Sequence, residues 1–360
     1  MEFSRLLTPY RSSTLRLPNR IAMAPMTRGR ADDVTGVPNP LTAVYYAQRA
    51  SAGLIITEGI WPTATGKNSP RIPGLVTAEH VEGWRKVTTL VHAAGGRIFA
   101  QLWHAGRVSH PQTQPDGQAP PAPSAVAATG RIMIREGWST MGTPRELTSA
   151  EIATTIADYA KAARNAIEAG FDGVEIHGAN GYLIHEFLAD NTNLRTDAYG
   201  RPEQFVLDVI DAVAAEIGAD RLALRLSPGN PENGVFEADP AAVYEPLVAK
   251  MNHNGLAYLH ISEKGDYPAI ARLRPLWTGT LIGNFDPETP TSGHMGEQLL
   301  TDGHADVVAF GRLFIANPDL PARFATGAPL QTHRRNQIHG GGAEGYIDYP
   351  PLALQDAVGP

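Results

Sequence analysis

No cysteine occurs in the 360 residues. That absence excludes disulfides, iron–sulfur clusters, thiolate metal sites and a cysteine nucleophile together. A surplus of positive charge is also missing: 30 Lys and Arg stand against 37 Asp and Glu, for a formal net charge of -7. Nucleic acid and anionic membranes need a basic footprint, so neither is an expected partner. No apolar run approaches the length of a membrane span. The opening residues, Met1-Glu-Phe-Ser-Arg5, lack the basic segment and apolar stretch of a secretory signal, and cytoplasm is the expected compartment.

What the chain does have is a recurring alternation of short apolar runs and helical patterns. Strands are predicted at Arg20–Ala24, Gly53–Thr57, Arg97–Leu102, Asp172–His177, Leu222–Ser227, Leu256–Ser262, Thr280–Gly283 and Asp306–Phe310. Helices are predicted at Leu41–Ala50, Ala78–Ala94, Ser149–Ala169, Pro202–Ile217, Pro240–Met251, Asp266–Leu273 and Thr291–Thr301, with a short one after Pro318. Thr148-Ser-Ala-Glu151 has the form of a capping box, and Asn317-Pro318-Asp319 that of a cap followed by a first-turn proline. Continuously apolar strands imply burial on both faces, as in a parallel sheet covered by helices. Eight such units close a (β/α)8 TIM barrel. An open doubly wound sheet should show a glycine-rich phosphate loop after its first strand. Arg20-Ile-Ala-Met-Ala-Pro-Met-Thr27 has none, so a barrel forming one domain over residues 1–360 is the expected fold.

Two segments fall outside the repeat. Residues before Arg20 pattern as a small hairpin suited to plugging the barrel floor. The excursion from Val108 to Arg145 is rich in proline, and Arg131–Ile134 with Trp138–Met141 around Glu136-Gly137 reads as a hairpin flap. Long connections inside compact domains are usually functional, so a lid is expected there, with a plain surface insertion as the alternative.

Barrel enzymes carry their chemistry at the C-terminal strand ends. Those ends supply Pro25, Met26 and Thr27, then Gly59, Gln101 and Trp103, then His177, Arg225, Gly283 and Asn284, and finally Gly311 and Arg312. Amide, hydroxyl and guanidinium groups around one mouth suit a cofactor with a planar hydrogen-bonding edge. Gly283, Gly311 and Arg312 near the last two strands suit a phosphate, although a phosphorylated sugar would fit as well. The hexamer His177-Gly-Ala-Asn180-Gly-Tyr182 is the most specific stretch. His177 and Asn180 can donate to one oxygen, and a neutral Tyr182 can deliver a proton. The plainer alternative is a satisfied core histidine beside two loop residues. His104, His185 and His260 are read as satisfied by neighbours, Glu58 as a buried partner for Arg28, and Arg131 and Arg135 as solvated flap charges or contacts for a coenzyme phosphate.

Seven segments in order, Ala24–Arg28, Gln101–Arg107, His177–Tyr182, Asn193–Gly200, Phe310–Arg312, Ala316–Asp319 and Gly342–Pro350, resemble the Old Yellow Enzyme family of FMN-dependent ene reductases. They span nearly the whole chain. The resemblance implies an FMN-binding barrel that takes hydride from NADPH, in preference to NADH, and reduces enones, enals, maleimides and nitroalkenes. It implies that Thr27 and Gln101 bond the flavin ring, that Arg225 lies at its N1–O2 edge, and that Pro25, Met26 and Gly59 touch it through backbone. Gly283, Asn284, Gly311 and Arg312 are implied as phosphate contacts, His177 and Asn180 as the substrate clamp, and Tyr182 as the proton donor. Trp103 and Tyr346 are implied as pocket walls. Monomer or homodimer is the expected assembly, and no metal is expected. The chain departs from the family at Arg201-Pro202, where Gly-Ser is usual, and the flap has no secure counterpart. Thr27 places it in the branch with threonine rather than cysteine beside the flavin. The rival readings are a phosphosugar isomerase or aldolase, which would want a Schiff-base lysine or paired carboxylates, and a flavin carrier without turnover.

Overall fold

A computed structural model describes residues 2–264, 266–285 and 291–352. Its centre is a closed parallel barrel of eight strands. They are β1 (Ile21–Met23), β2 (Leu54–Ile60), β3 (Ile98–Leu102), β4 (Gly173–Gly178), β5 (Leu222–Leu226), β6 (Tyr258–Glu263), β7 (Leu281–Phe285) and β8 (Val307–Phe310). Closure is made where β8 meets β1, with Val308 opposite Ile21 and Phe310 opposite Met23. Each predicted strand is present, shifted by no more than a few residues. The helices that cover it are α1 (Pro40–Ala47), α2 (Ala78–Ala93), α3 (Ser149–Glu168), α4 (Leu183–Leu188), α5 (Gln204–Ile217), α6 (Pro240–Met251), α7 (Ala269–Leu273), α8 (Gly293–Thr301), α9 (Arg312–Ala316) and α10 (Leu320–Thr326).

Alternation along the strands sorts side chains between two cores. Outward residues such as Val174, Ile176, Leu224, Leu259 and Val308 join the main core beneath the helices. Inward residues form a second cluster containing Ala22, Leu54, Ile56, Phe99, Tyr258, Ile282 and Val307. Gly173 exists for this packing, since a Cβ there would lie 2.5 Å from the Phe99 ring. Leu15 and Leu17 join the same cluster from the N-terminal hairpin, whose strands pair Tyr10 with Leu17 and Arg11 with Arg16. The floor plug expected from the sequence is therefore present.

The capping box at α3 forms as read, with Thr148 accepting from the Glu151 amide and Glu151 returning to the Thr148 amide. At α10 the expectation fails. The helix begins at Leu320 with Pro321 in its first turn, and Asn317 instead donates to the carbonyls of Leu313 and Gln331. Its Oδ1, the atom that would cap, accepts the Gln331 amide at 2.8 Å, so the side chain is committed before it can cap. The flap pairs Arg131–Ile134 with Gly137–Thr140, and its Ile132 and Ile134 pack with Val108 and Met141.

Candidate active site at the barrel mouth

Moving up the barrel, the inward positions change from apolar to polar. Phe99 gives way to Gln101 on β3, Ala223 to Arg225 on β5, Tyr258 to His260 on β6, and Ile282 to Asn284 on β7. On β4 the inward Gly173 is followed by two polar inward residues, Glu175 and His177. These groups sit side by side, because His177 is in register with Arg225 and Arg225 with His260. Gln101 Nε2 donates to Glu175 Oε1 at 2.7 Å, and His260 Nδ1 donates to Glu175 Oε2 at 2.9 Å. Burial acts to raise the Glu175 carboxyl, but His260, Arg225 and Gln101 together hold it below the ordinary carboxylate range. Burial likewise keeps His260 neutral, and the charge opposite the carboxylate is the Arg225 guanidinium.

Above this layer opens a cavity of about 450 Å³, walled by Pro25, Met26, Thr27, Asn180, Tyr182, Arg225, Asn284, Gly311 and Arg312 among others. Its size lies within the range of small-molecule and cofactor sites. Arg225 donates to Asn284 Oδ1 at 3.1 Å, while Asn284 Nδ2 is spent on the Ala309 carbonyl at 2.9 Å. The Asn284 side chain therefore aims the arginine, a role the sequence did not disclose. His177 is buried, its Nδ1 has no partner among the described residues, and its ring centre lies 5.4 Å from that of Tyr182. Burial and the neighbouring Arg225 push its basicity well down, so the imidazole is neutral. Burial, reinforced by Glu232, pushes Tyr182 up to about 12, which keeps its proton in place at neutral pH.

Four sequence-derived candidates fall elsewhere. Tyr346 is not a mouth residue: it is fully buried, stacks on Tyr45 at 4.2 Å, and lies beneath Arg30, whose guanidinium is 4.3 Å from the ring centre. Gly283 points away from the cavity, and a Cβ there would meet Leu299 at 3.1 Å and Ala305 at 3.3 Å in the helical layer. Trp103 stands behind Tyr182, edge-on at 4.9 Å between ring centres, in a small cluster with Trp61 and Ile72. Gly59 lies under that indole, where a Cβ would approach within 2.8 Å. Gln101 and His177 sit close to the mouth, one as the floor of its polar layer and the other beside Tyr182. The histidines set aside in the sequence are indeed occupied: His104 accepts from the Gly106 amide, and His185 bonds Glu237 at 3.0 Å. Glu58 accepts the amides of Arg28 and Gly29. Arg131 bonds the Trp138 carbonyl within the flap, and Arg135 pairs with Asp33 at 3.2 Å.

Residues that sequence reasoning missed are Glu175, Ser227, Asn230, Ser262, Thr291 and His339. Ser262, Thr291 and His339 line the cavity, and Ile338 and His339 are brought there by Arg28 and Arg30, which bond the Ile338 carbonyl. An inward polar position two residues before His177 on the same strand was the available signal for Glu175. None existed for His339, which is over 300 residues from Thr27.

Barrel, polar layer and cavity together define a (β/α)8 protein built to hold a flat, polar-edged ligand at its C-terminal mouth. Comparison with known proteins makes the class definite. The pattern of the NADH:flavin oxidoreductase / NADH oxidase family matches residues 5–331. The chain is 42% identical over 366 residues to 12-oxophytodienoate reductase 1 of Oryza sativa subsp. japonica, covering 96% of this chain and 93% of that one. It is 40% identical over 370 residues to 12-oxophytodienoate reductase 2 of Arabidopsis thaliana, covering 96% of each. Morphinone reductase in complex with tetrahydroNAD superposes with a TM-score of 0.92 at 43% identity, over 97% of this chain and 98% of that one. The Old Yellow Enzyme homologue from Zymomonas mobilis gives a TM-score of 0.92 at 40% identity, over 96% and 99%. The chain belongs to the Old Yellow Enzyme family, and is an FMN-dependent flavin oxidoreductase of the ene-reductase kind. The isomerase, aldolase and carrier alternatives are thereby set aside.

Proposed function

We propose that this enzyme reduces carbon–carbon double bonds activated by a carbonyl or nitro group, among them enones, enals, maleimides and nitroalkenes. The observation that carries the reading is that a tyrosine held neutral and the Asn180 carboxamide line one cavity, with the buried imidazole of His177 packed beside that tyrosine. The residues fit FMN: the Gln101 amide nitrogen is held by Glu175, leaving its oxygen to accept from an imide N–H, and Arg225 presents positive charge to an electron-rich edge. Thr27, Pro25 and Met26 would border the ring, and Gly311 with Arg312 the phosphate. When bound and reduced by a nicotinamide, FMN would supply the hydride that the substrate accepts at its β-carbon. His177 and Asn180 would donate to the carbonyl or nitro oxygen, so negative charge building there is met by fixed dipoles in a water-poor site. Tyr182 would then hand its proton to the α-carbon. The relatives named for 12-oxophytodienoate and morphinone support a reductase reading of the same site.

The reductant in this reading is NADPH, as the family resemblance implies, or NADH, as the relative bound to tetrahydroNAD suggests. Rates of anaerobic flavin reduction by each coenzyme decide between them. The clamp is tested by titrating the flavin-loaded protein with 4-hydroxybenzaldehyde and following long-wavelength charge-transfer absorbance. Loss of His177 in a His177→Ala variant should weaken phenolate binding by about 10-fold to 100-fold, the worth of a hydrogen bond to a charged group. Unchanged affinity removes the clamp.

A further inference from the structure

A carboxamide can face a ligand with either its donor or its acceptor, and only the donor can grip a substrate oxygen. The loop after β5 decides which end Asn180 presents. The backbone amide of Glu232 is a donor without ambiguity, and it bonds Asn230 Oδ1 at 3.0 Å. Asn230 must therefore offer its Nδ2 elsewhere, and it meets Asn180 Oδ1 at 3.1 Å. With its oxygen so engaged, Asn180 is left with Nδ2 as the end free to face the cavity. Asn230 is only 2% exposed, so water does not compete for either bond.

The same loop holds the Asn180 backbone. Asn180 sits at φ 57, a left-handed conformation that is unfavourable for most side chains and is tolerated by asparagine. Ser227 Oγ accepts its N–H at 2.8 Å, and Asn233 Nδ2 donates to its carbonyl at 2.8 Å. Gly181 lets the loop approach: its φ is 74, and a Cβ would lie 2.3 Å from the Glu232 carbonyl. Its N–H goes to His185 Nδ1 at 2.9 Å, so His185 carries its proton on Nε2 and donates to Glu237. Glu237 also accepts from the Gly229 amide at 2.6 Å and from the Tyr244 hydroxyl, which returns the chain of bonds to the β5 loop.

We propose that Asn230 is a positioning residue that fixes the Asn180 carboxamide with its N–H end toward the substrate. The proposal rests on the reading of Asn180 as a substrate donor and adds what sets its polarity. It makes an unusual ordering: the isosteric change should do more harm than the truncation. In Asn230→Asp a carboxylate oxygen replaces the Nδ2 donor, so Asn180 turns its own Nδ2 inward and shows its oxygen to the ligand. In Asn230→Ala the amide is merely released and can still donate.

The test uses flavin-loaded protein titrated with 4-hydroxybenzaldehyde. Asn230→Ala should weaken the phenolate by about 10-fold and Asn230→Asp by about 100-fold. In an Asn180→Ala background both Asn230 changes should lose their effect to within about two-fold, since the coupling runs through that amide. A loop that serves only stability predicts the reverse order, and a simple charge effect of the introduced carboxylate predicts a loss that persists without Asn180. Either result overturns the proposal. Should Asn230→Asp fail to retain flavin, Asn230→Ala decides alone, and wild-type affinity there is the contrary result. If Asn180→Ala by itself leaves phenolate affinity unchanged, the donor reading of Asn180 falls first and the positioning role falls with it. If Asn180→Ala weakens binding while the Asn230 variants do not, only the positioning role is lost.

Discussion

Tyr182 brings together two properties that an acid in this site needs. It faces the cavity, and burial with Glu232 nearby pushes its hydroxyl up to about 12. Because a raised acid keeps its proton to higher pH, the donor should remain loaded across the whole range where the protein is studied. The rate at which an enone reoxidises the reduced enzyme should therefore stay flat from about pH 6 to beyond about pH 9, as far as Tyr182 controls it. Tyr182→Phe should slow that step by about 100-fold or more, the usual weight of a general acid, while reduction by the nicotinamide stays near its normal rate. Stopped-flow traces of the two half-reactions check this, and equal losses in both would remove the donor role. Most of these residues could be read from the chain, because a barrel sends the residue at each strand's C-terminal end to one place. For Tyr346 the motif gives an address in sequence but no depth, because its ring is buried against Tyr45 and two arginines.

Among the elements, α4 carries the clearest consequence of burial. Its Glu186 is inaccessible, accepts the Arg107 amide at 2.8 Å and has Oε2 without a partner among the described residues. Burial, only partly offset by Arg107, pushes it up to about 8. An acid raised in the folded state favours folding most below its unfolded value and loses that contribution as pH climbs to the folded one. The wild type should thus lose stability between about pH 4.5 and about pH 8 through this group. Glu186→Gln can keep the bond to Arg107 without the ionisation penalty. It should match the wild type near pH 4.5 and exceed it at pH 8 by several kcal/mol, with about 5 kcal/mol as the upper bound. Urea unfolding at both values measures the difference, and a variant less stable at the higher pH contradicts the assignment. The strands themselves were legible because both faces are buried and their sequences are apolar until the polar residues at their C-terminal ends. The β5 loop was not, since Ser227, Asn230 and Asn233 are ordinary loop residues until the fold sets them against Asn180.

For the molecule as a whole, the hairpin plug and the mouth occupy opposite ends of one interior. Leu17 is 3% exposed in the apolar lower cluster, so Leu17→Ala should cost about 2–4 kcal/mol of stability, as large-to-small core changes do. It should do so without altering phenolate affinity at the mouth, and a change in that affinity would contradict the separation of floor from site. A ligand held only by the folded chain also stabilises it by mass action. Free FMN at about 100 times its dissociation constant should add about 2.7 kcal/mol, visible as a rise of a few degrees in the melting temperature of flavin-stripped protein. The barrel's closure and the polar step along its strands were both contained in the alternation of the sequence. The depth of each aromatic, and the bonds between distant loops, arise only once eight strands share one interior.

A flavin at this mouth should take electrons from a nicotinamide and yield them to an activated alkene under Tyr182. Anaerobic mixing of the yellow protein with NADPH or NADH, then with 2-cyclohexenone, tests it in one experiment. Bleaching of the flavin colour by at least one coenzyme, full return of the colour on adding the enone, and cyclohexanone as product are expected. Colour that bleaches and stays bleached in the presence of the enone would contradict it.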